Sequence, residues 1–120
     1  MQKHPASIEE IRKIIVEYVR ERDWEQFHNP KDVALSLVLE SSEVLEHFQW
    51  KSPEEMASYV KSNRDDIGEE LADVLYWVIL LSHYLDLDLP AAFIKKMEQN
   101  RKKYPVEKAK GSHAKYTKYQ

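Results

Sequence analysis

The sequence predicts an all-α fold, a small bundle of four or five helices. Three observations carry this. Charged residues fill 32% of the 120 positions and only two are glycine, which favours helix and leaves little for hairpin turns. Apolar residues recur three and four apart through most of the first hundred positions. Ser, Asn and Pro stand repeatedly where such a run begins. No strand alternation and no internal repeat competes with this pattern.

Ser7-x-x-Glu10 reads as a capping box opening a first helix. Ile8, Ile11, Ile14, Ile15, Tyr18 and Val19 keep helical spacing to about Glu21. The polar and aromatic stretch RDWEQFHNP then breaks the period. Asn29 followed by Pro30 supplies an N-cap and first-turn proline for a second helix, with Val33, Leu37, Val44 and Phe48 on its apolar face, ending near His47. Ser52-Pro53-Glu54-Glu55 opens a short third helix to about Val60, and Asn63-x-x-Asp66 a long apolar fourth to about Leu85. After the DLDLP turn, Pro90 starts a fifth helix that runs to about Lys103 and stops at Pro105. Residues 1–105 are expected to form one helical domain, and 106–120 an irregular basic tail.

The absence of cysteine rules out disulfides and thiolate metal sites. No apolar stretch reaches the roughly 18 residues that span a bilayer, and MQKHPASIEE has no hydrophobic signal region. The expectation is a soluble, cytoplasmic protein with no membrane partner. The net charge of −3 conceals an asymmetry. Residues 101–120 carry seven Lys/Arg against one acid, Glu107, and residues 1–100 carry 11 basic against 20 acidic side chains. A basic segment on an acidic body suits an anionic ligand such as a phosphate, or is simply a solvated tail. The near-neutral total argues against a dedicated nucleic-acid binder.

Two acidic pairs lie inside apolar helical runs, Glu40-x-x-Glu43 and Glu70-x-x-Asp73. Carboxylates are costly there unless a cation compensates them. At about 100° per residue from Val33, Glu40 falls near 340° and Glu43 near 280°, at the edge of the core face. From Ile67, Glu70 falls near 300° and Asp73 near 240°, whereas Glu69, near 200°, points to solvent. Acids at i, i+3 share one side of a helix. Two such pairs on neighbouring helices could surround one or two hard cations, and Mg²⁺ fits a site lacking imidazole and thiolate. Interhelical ion pairs are the other reading of the same acids. A di-iron bundle usually needs Glu-x-x-His on two helices, and here His47 follows Glu43 at i+4 with no second motif.

Aromatic residues flank the second helix: Trp24, Phe27 and His28 before it, Trp50 after it. Indoles near helix ends can stack on a base or plug the end of a bundle. Lys96, Asn100 and Lys103 share a face of the fifth helix, with Lys95, Lys102 and Tyr104 close by. That face suits phosphate oxygens, or is the wet side of a surface helix.

The run RDWEQFHNPKDVALSLVLESSEVLEHFQW, then EELADVLYWV, KMEQNRKKYP and AKGSHAKYTKY, resembles the dCTP pyrophosphatase branch of the MazG-like nucleoside triphosphate pyrophosphohydrolases. The likeness covers nearly the whole chain from about Ile8 and includes the E-x-x-E plus E-x-x-D signature with a 26-residue gap. It implies a Mg²⁺-dependent, all-α MazG-like enzyme that cleaves an NTP or dNTP, dCTP or a modified dCTP among them, to the monophosphate and pyrophosphate in nucleotide-pool house-cleaning. Glu40, Glu43, Glu70 and Asp73 would hold the metal, and Glu40 or Glu43 would orient or deprotonate the attacking water. By the same resemblance Trp24 and Trp50 would line the base pocket. His28, Lys96, Asn100, Lys103 and Tyr104 would assist with base or phosphates, and Trp77, beside Asp73, would bear on which sugars or bases fit. Family members of this type are homodimers or homotetramers with sites at subunit contacts. A broad-specificity NTP pyrophosphatase and a non-catalytic helical oligomerisation or nucleotide-binding module are the alternatives.

Overall fold

A computed structural model describes residues 6–119. Among these, the chain forms six α-helices and two single 3₁₀ turns, with no strand. It divides into two compact units, one reaching Leu87 and the other starting at Asp88. Among the described residues no single helix is long and apolar enough to cross a membrane.

The first unit holds α1 (Ile8–Glu21), α2 (Pro30–Glu46), α3 (Pro53–Ser62) and α4 (Arg64–Tyr84). Each of the first three starts on the cap its sequence offers. Ser7 Oγ accepts from the Glu10 N–H, Asn29 Oδ1 from Asp32 N–H, and Ser52 Oγ from Glu55 N–H, with Glu55 reaching back to Ser52 N–H. Such caps satisfy amides that the first helical turn leaves unpaired. Asn63 departs from expectation. Its side chain does not cap α4 but donates to the Tyr59 carbonyl, closing the end of α3.

α4 packs against α2, α1 and α3 in turn. Ile79, Leu80, Val19 and Val33 are the most deeply buried side chains, joined by Ile15 and Val16. Ile14 and Tyr18, which share the helical spacing of Ile15 and Val19, are exposed. Three polar ties bridge elements of this unit. Arg12 donates to His83 Nδ1 at 3.0 Å, joining α1 to α4. Tyr59 lies 2.5 Å from His47 Nδ1, joining α3 to the end of α2. Tyr84 lies 2.6 Å from His28 Nδ1, joining α4 to the segment before α2.

Both α1 and α4 end in the same backbone turn, with aspartate where glycine usually stands. Asp23 has φ 54° and Asp86 φ 53°, in the left-handed region. Asp23 N–H donates to the Arg20 carbonyl and Trp24 N–H to the Val19 carbonyl. Asp86 N–H reaches the His83 carbonyl and Leu87 N–H that of Ser82. This paired 5→2 and 6→1 pattern is the Schellman motif, which satisfies carbonyls at a helix end.

The second unit holds α5 (Leu89–Lys103), capped by Asp88 Oδ1 accepting from Ala91 N–H, and a short α6 (Val106–Ala109). The stretch after Pro105 is therefore not irregular throughout: a 3₁₀ turn follows at Tyr116–Lys118. Tyr104 meets Tyr116 and Tyr119 edge-on at 5.9 and 5.8 Å, which returns the chain to the end of α5.

Candidate metal and nucleotide site

Where α2 meets α4, Glu40, Glu43 and Glu70 each offer a carboxylate oxygen, and these oxygens all lie within 4.8 Å of one another. Glu40 and Glu70 are half-buried and Glu43 is exposed. Glu69 is exposed beside Glu70, as the helical angles predict. Asp73 stands outside the tight trio, yet its charge acts on both Glu40 and Glu70.

The electrostatics of the trio are unfavourable as they stand. Burial first, then the charges of Glu43 and Asp73, push the Glu40 carboxyl above its ordinary value. The Glu70 carboxyl is pushed up to about 7, first by a hydrogen bond shared with Glu43, then by burial and the surrounding acids. Among the described residues the salt bridges are Arg12–Glu9, Arg20–Glu25 and Arg22–Glu21, so no Lys or Arg pairs with any of the four acids. Among the described residues Glu40 Oε2 and Glu70 Oε2 are buried without a hydrogen-bond partner. Buried acceptors left unpaired are uncommon and call for an explanation. An all-oxygen donor set with two orphan oxygens fits a hard divalent cation, which would remove repulsion and orphaning together.

A cleft of about 480 Å³ opens beside these acids. Glu40 and Asp73 form its polar wall, and Ile14, Ile15, Tyr18, Trp24, Tyr76 and Trp77 its apolar one. The rings brace one another edge-on: Tyr18 to Trp24 at 5.5 Å, Tyr18 to Tyr76 at 6.2 Å, and Tyr76 to Trp77 at 4.9 Å. Trp24 arrives there directly from the turn that ends α1, its N–H fixed on the Val19 carbonyl. On the other side of the acids, Glu43 and Glu70 line a second cleft with Glu46, His47 and Tyr59.

The structure thus gathers Trp24, Trp77, Glu40 and Asp73 around one cleft, with His28 6.1 Å from Trp77 ring to ring. Trp50 is not among the lining residues, and at 86% exposure it packs on little else. Lys96, Asn100, Lys103 and Tyr104 belong to the second unit. There Lys96 is exposed, Asn100 is half-buried against Met97 Sδ, and the Lys103 ammonium sits 5.1 Å from the Tyr116 ring. Sequence reasoning missed Tyr18, Tyr76 and Ile14 as cleft residues. The available signal was position: Tyr76 stands three residues after Asp73, one helical turn along the same side.

Residues 35–118 match the MazG-like family. The chain belongs to the MazG-like family. This MazG-like chain is 44% identical over 113 residues to dCTP pyrophosphatase 1 of Rattus norvegicus and 42% identical to that of Homo sapiens, over 92% of its own length in each case. It spans 66% of the length of either mammalian protein. Among solved structures, a pyrophosphatase from Archaeoglobus fulgidus superposes with a TM-score of 0.78 at 34% identity, covering 88% of this chain and 98% of that one. The all-helical arrangement around the acid pairs is thus the MazG-like fold.

Proposed function

We propose that this chain is a Mg²⁺-dependent nucleotide pyrophosphohydrolase that cleaves a (d)NTP, with dCTP or a modified dCTP as substrate, to the monophosphate and pyrophosphate. One observation carries the reading. Among the described residues, three carboxylates from two helices converge with no Lys or Arg paired to them, and one of them, Glu40, lies in the wall of an aromatic cleft that can take a base. The likeness to dCTP pyrophosphatase 1 supports the same substrate class.

Glu40, Glu43, Glu70 and Asp73 would hold the metal, and the triphosphate would complete its ligand shell. The bound cation supplies charge neutralisation on the phosphates and a more acidic water. Glu40 or Glu43 takes the proton of the attacking water. The water oxygen bonds to the α phosphorus, the bond from that phosphorus to the bridging oxygen breaks, and pyrophosphate departs with the electron pair. Trp24, with Tyr18, Tyr76 and Trp77, stacks on the base and excludes water. The family resemblance alone gives Lys96, Asn100, Lys103 and Tyr104 the part of neutralising and orienting phosphate oxygens.

We place this activity on a cytoplasmic homodimer or homotetramer. α2 supports that view, because Leu35, Val38, Leu39 and Leu45 form a second, exposed apolar face opposite Val33. Exposed apolar surface on that scale marks an interface. Trp50, free of its own chain's cleft, would then serve a site shared with a second copy.

The test is pyrophosphate release by the purified chain from dCTP, 5-methyl-dCTP, dUTP, dTTP and ATP, with and without Mg²⁺. Release only with Mg²⁺ and fastest from the cytosine nucleotides is the expected result. Comparable rates across the panel would make it a broad-specificity pyrophosphatase. No pyrophosphate from any nucleotide would leave a non-catalytic helical module.

A further inference from the structure

His28 is half-buried and held by a contact that the hydrolytic reading leaves unused. Its Nδ1 lies 2.6 Å from the Tyr84 hydroxyl, and the two rings meet at 5.5 Å and 67°. Elsewhere the imidazole borders Trp77, at 6.1 Å and 77°, and Trp77 lines the cleft with Glu40 and Asp73. A neutral imidazole carries one N–H and one lone pair, so the bond at one nitrogen decides what the other presents.

The Tyr84 phenol is held protonated: burial, then the charge of Glu25, push it above its ordinary value, with Arg20 opposing. A protonated phenol can donate its O–H, and His28 Nδ1 is the partner that the described residues give it. With the phenol as donor, the lone pair of the imidazole is spent on Tyr84. In a neutral ring what remains is the N–H at Nε2, and the ring meets Trp77 of the cleft wall edge-on.

We propose that Tyr84 is a positioning residue that fixes His28 as the Nε2–H tautomer, so that the imidazole presents a neutral donor to a carbonyl oxygen of a pyrimidine base. The identity of the acceptor rests on the nucleotide reading above. The tautomer rests on the histidine–tyrosine contact alone. Without the phenol, the ring samples both tautomers and offers a lone pair part of the time, which repels a carbonyl oxygen.

Two measurements on the full chain test this: nitrogen-15 spectra of the histidine rings, with His28 assigned from its absence in His28→Gln, and steady-state pyrophosphate release from dCTP. In the wild type, His28 should carry its proton on Nε2. Tyr84→Phe should move the ring nitrogens toward mixed tautomers and raise KM about tenfold, with kcat changing by less than about twofold. In a His28→Gln background, where the amide donates without help, Tyr84→Phe should alter KM by less than about twofold. A proton on Nδ1 in the wild type, or ring nitrogens unmoved by Tyr84→Phe, would overturn the tautomer assignment. Ring nitrogens that move while KM does not would overturn the donor role. A chain that releases no pyrophosphate at all refutes the hydrolytic reading instead, and the spectra still decide the tautomer.

Discussion

Glu43→Gln keeps the shape of a side chain and removes one charge from a trio whose oxygens lie within 4.8 Å. Two measured quantities should then move in opposite directions. Without metal, Glu43 is the first cause of the raised Glu70 carboxyl and the largest charge acting on Glu40, so the amide relieves repulsion. The metal-free variant should melt higher than the wild type. With metal the order reverses. At a hundredfold excess over Kd, ligand binding stabilises the folded wild type by about 2.7 kcal/mol, or roughly 10 °C in Tm for a chain of this size. A lost ligand that weakens the metal about a hundredfold leaves only ~0.4 kcal/mol at the same concentration, a shift of about 2 °C. Turnover should fall by about a thousandfold or more, since the metal and the attacking water both lose their orientation. Thermal melts with and without Mg²⁺, beside pyrophosphate release, read all three. A variant that melts lower without metal, yet keeps the full Mg²⁺ shift, would refute both the repulsion and the ligand role.

The pH dependence follows from the same carboxyls. Glu70 titrates at about 7 in the folded chain, against an ordinary value of 4.5, so between these the folded state holds a proton that the unfolded state has released. Metal-free stability from this group is therefore full below the ordinary value and is lost as pH rises through about 7. Mg²⁺ competes with that proton, so its apparent affinity should climb across the same interval. Melts in EDTA and in Mg²⁺ from pH 5 to 8.5 check this, and parallel curves would contradict it. A third prediction concerns the backbone. Asp23 adopts φ 54° at the end of α1, and glycine removes the steric cost there, so Asp23→Gly should stabilise the chain by about 0.5 kcal/mol in urea unfolding. A loss of stability would mean that the carboxylate itself matters, for instance through the bond it accepts from Gln26 at 3.0 Å.

Much of the helical order was legible because helix starts are local. Ser7, Asn29 and Ser52 act through atoms three residues away, so the sequence window contains the whole interaction. Asn63 misled for a physical reason: its amide had two helices within reach, and it closes the one behind it. Asp23 and Asp86 escaped notice because a left-handed residue is advertised by glycine, and aspartate carries no such flag. Glu40 was legible by angle as half-buried because α2 turns one clear stripe around Val33 inward. α4 does not, since it serves α1, α2 and α3, and its deepest residues, Ile79 and Leu80, lie about 120° and 220° round from Ile67. The aromatic cleft was half visible. Trp24 and Trp77 stood out by type, whereas Tyr18 and Tyr76 enter it only once α1 and α4 are packed side by side.

The turn that ends α1 has a consequence for how tightly the cleft can bind. Val19 is 1% exposed, and its carbonyl takes the Trp24 N–H at 3.1 Å. One residue thus anchors the hydrophobic interior and, five positions on, the backbone of an aromatic wall. Trp24 is ordered at the expense of folding, before any ligand arrives, so a base stacked on it as proposed would not have to supply that ordering entropy. The same coupling exposes the cleft to whatever loosens α1. Fraying of its last turn would dissolve the wall while the carboxylates on α2 and α4 stayed in place, leaving metal affinity intact and base affinity lost.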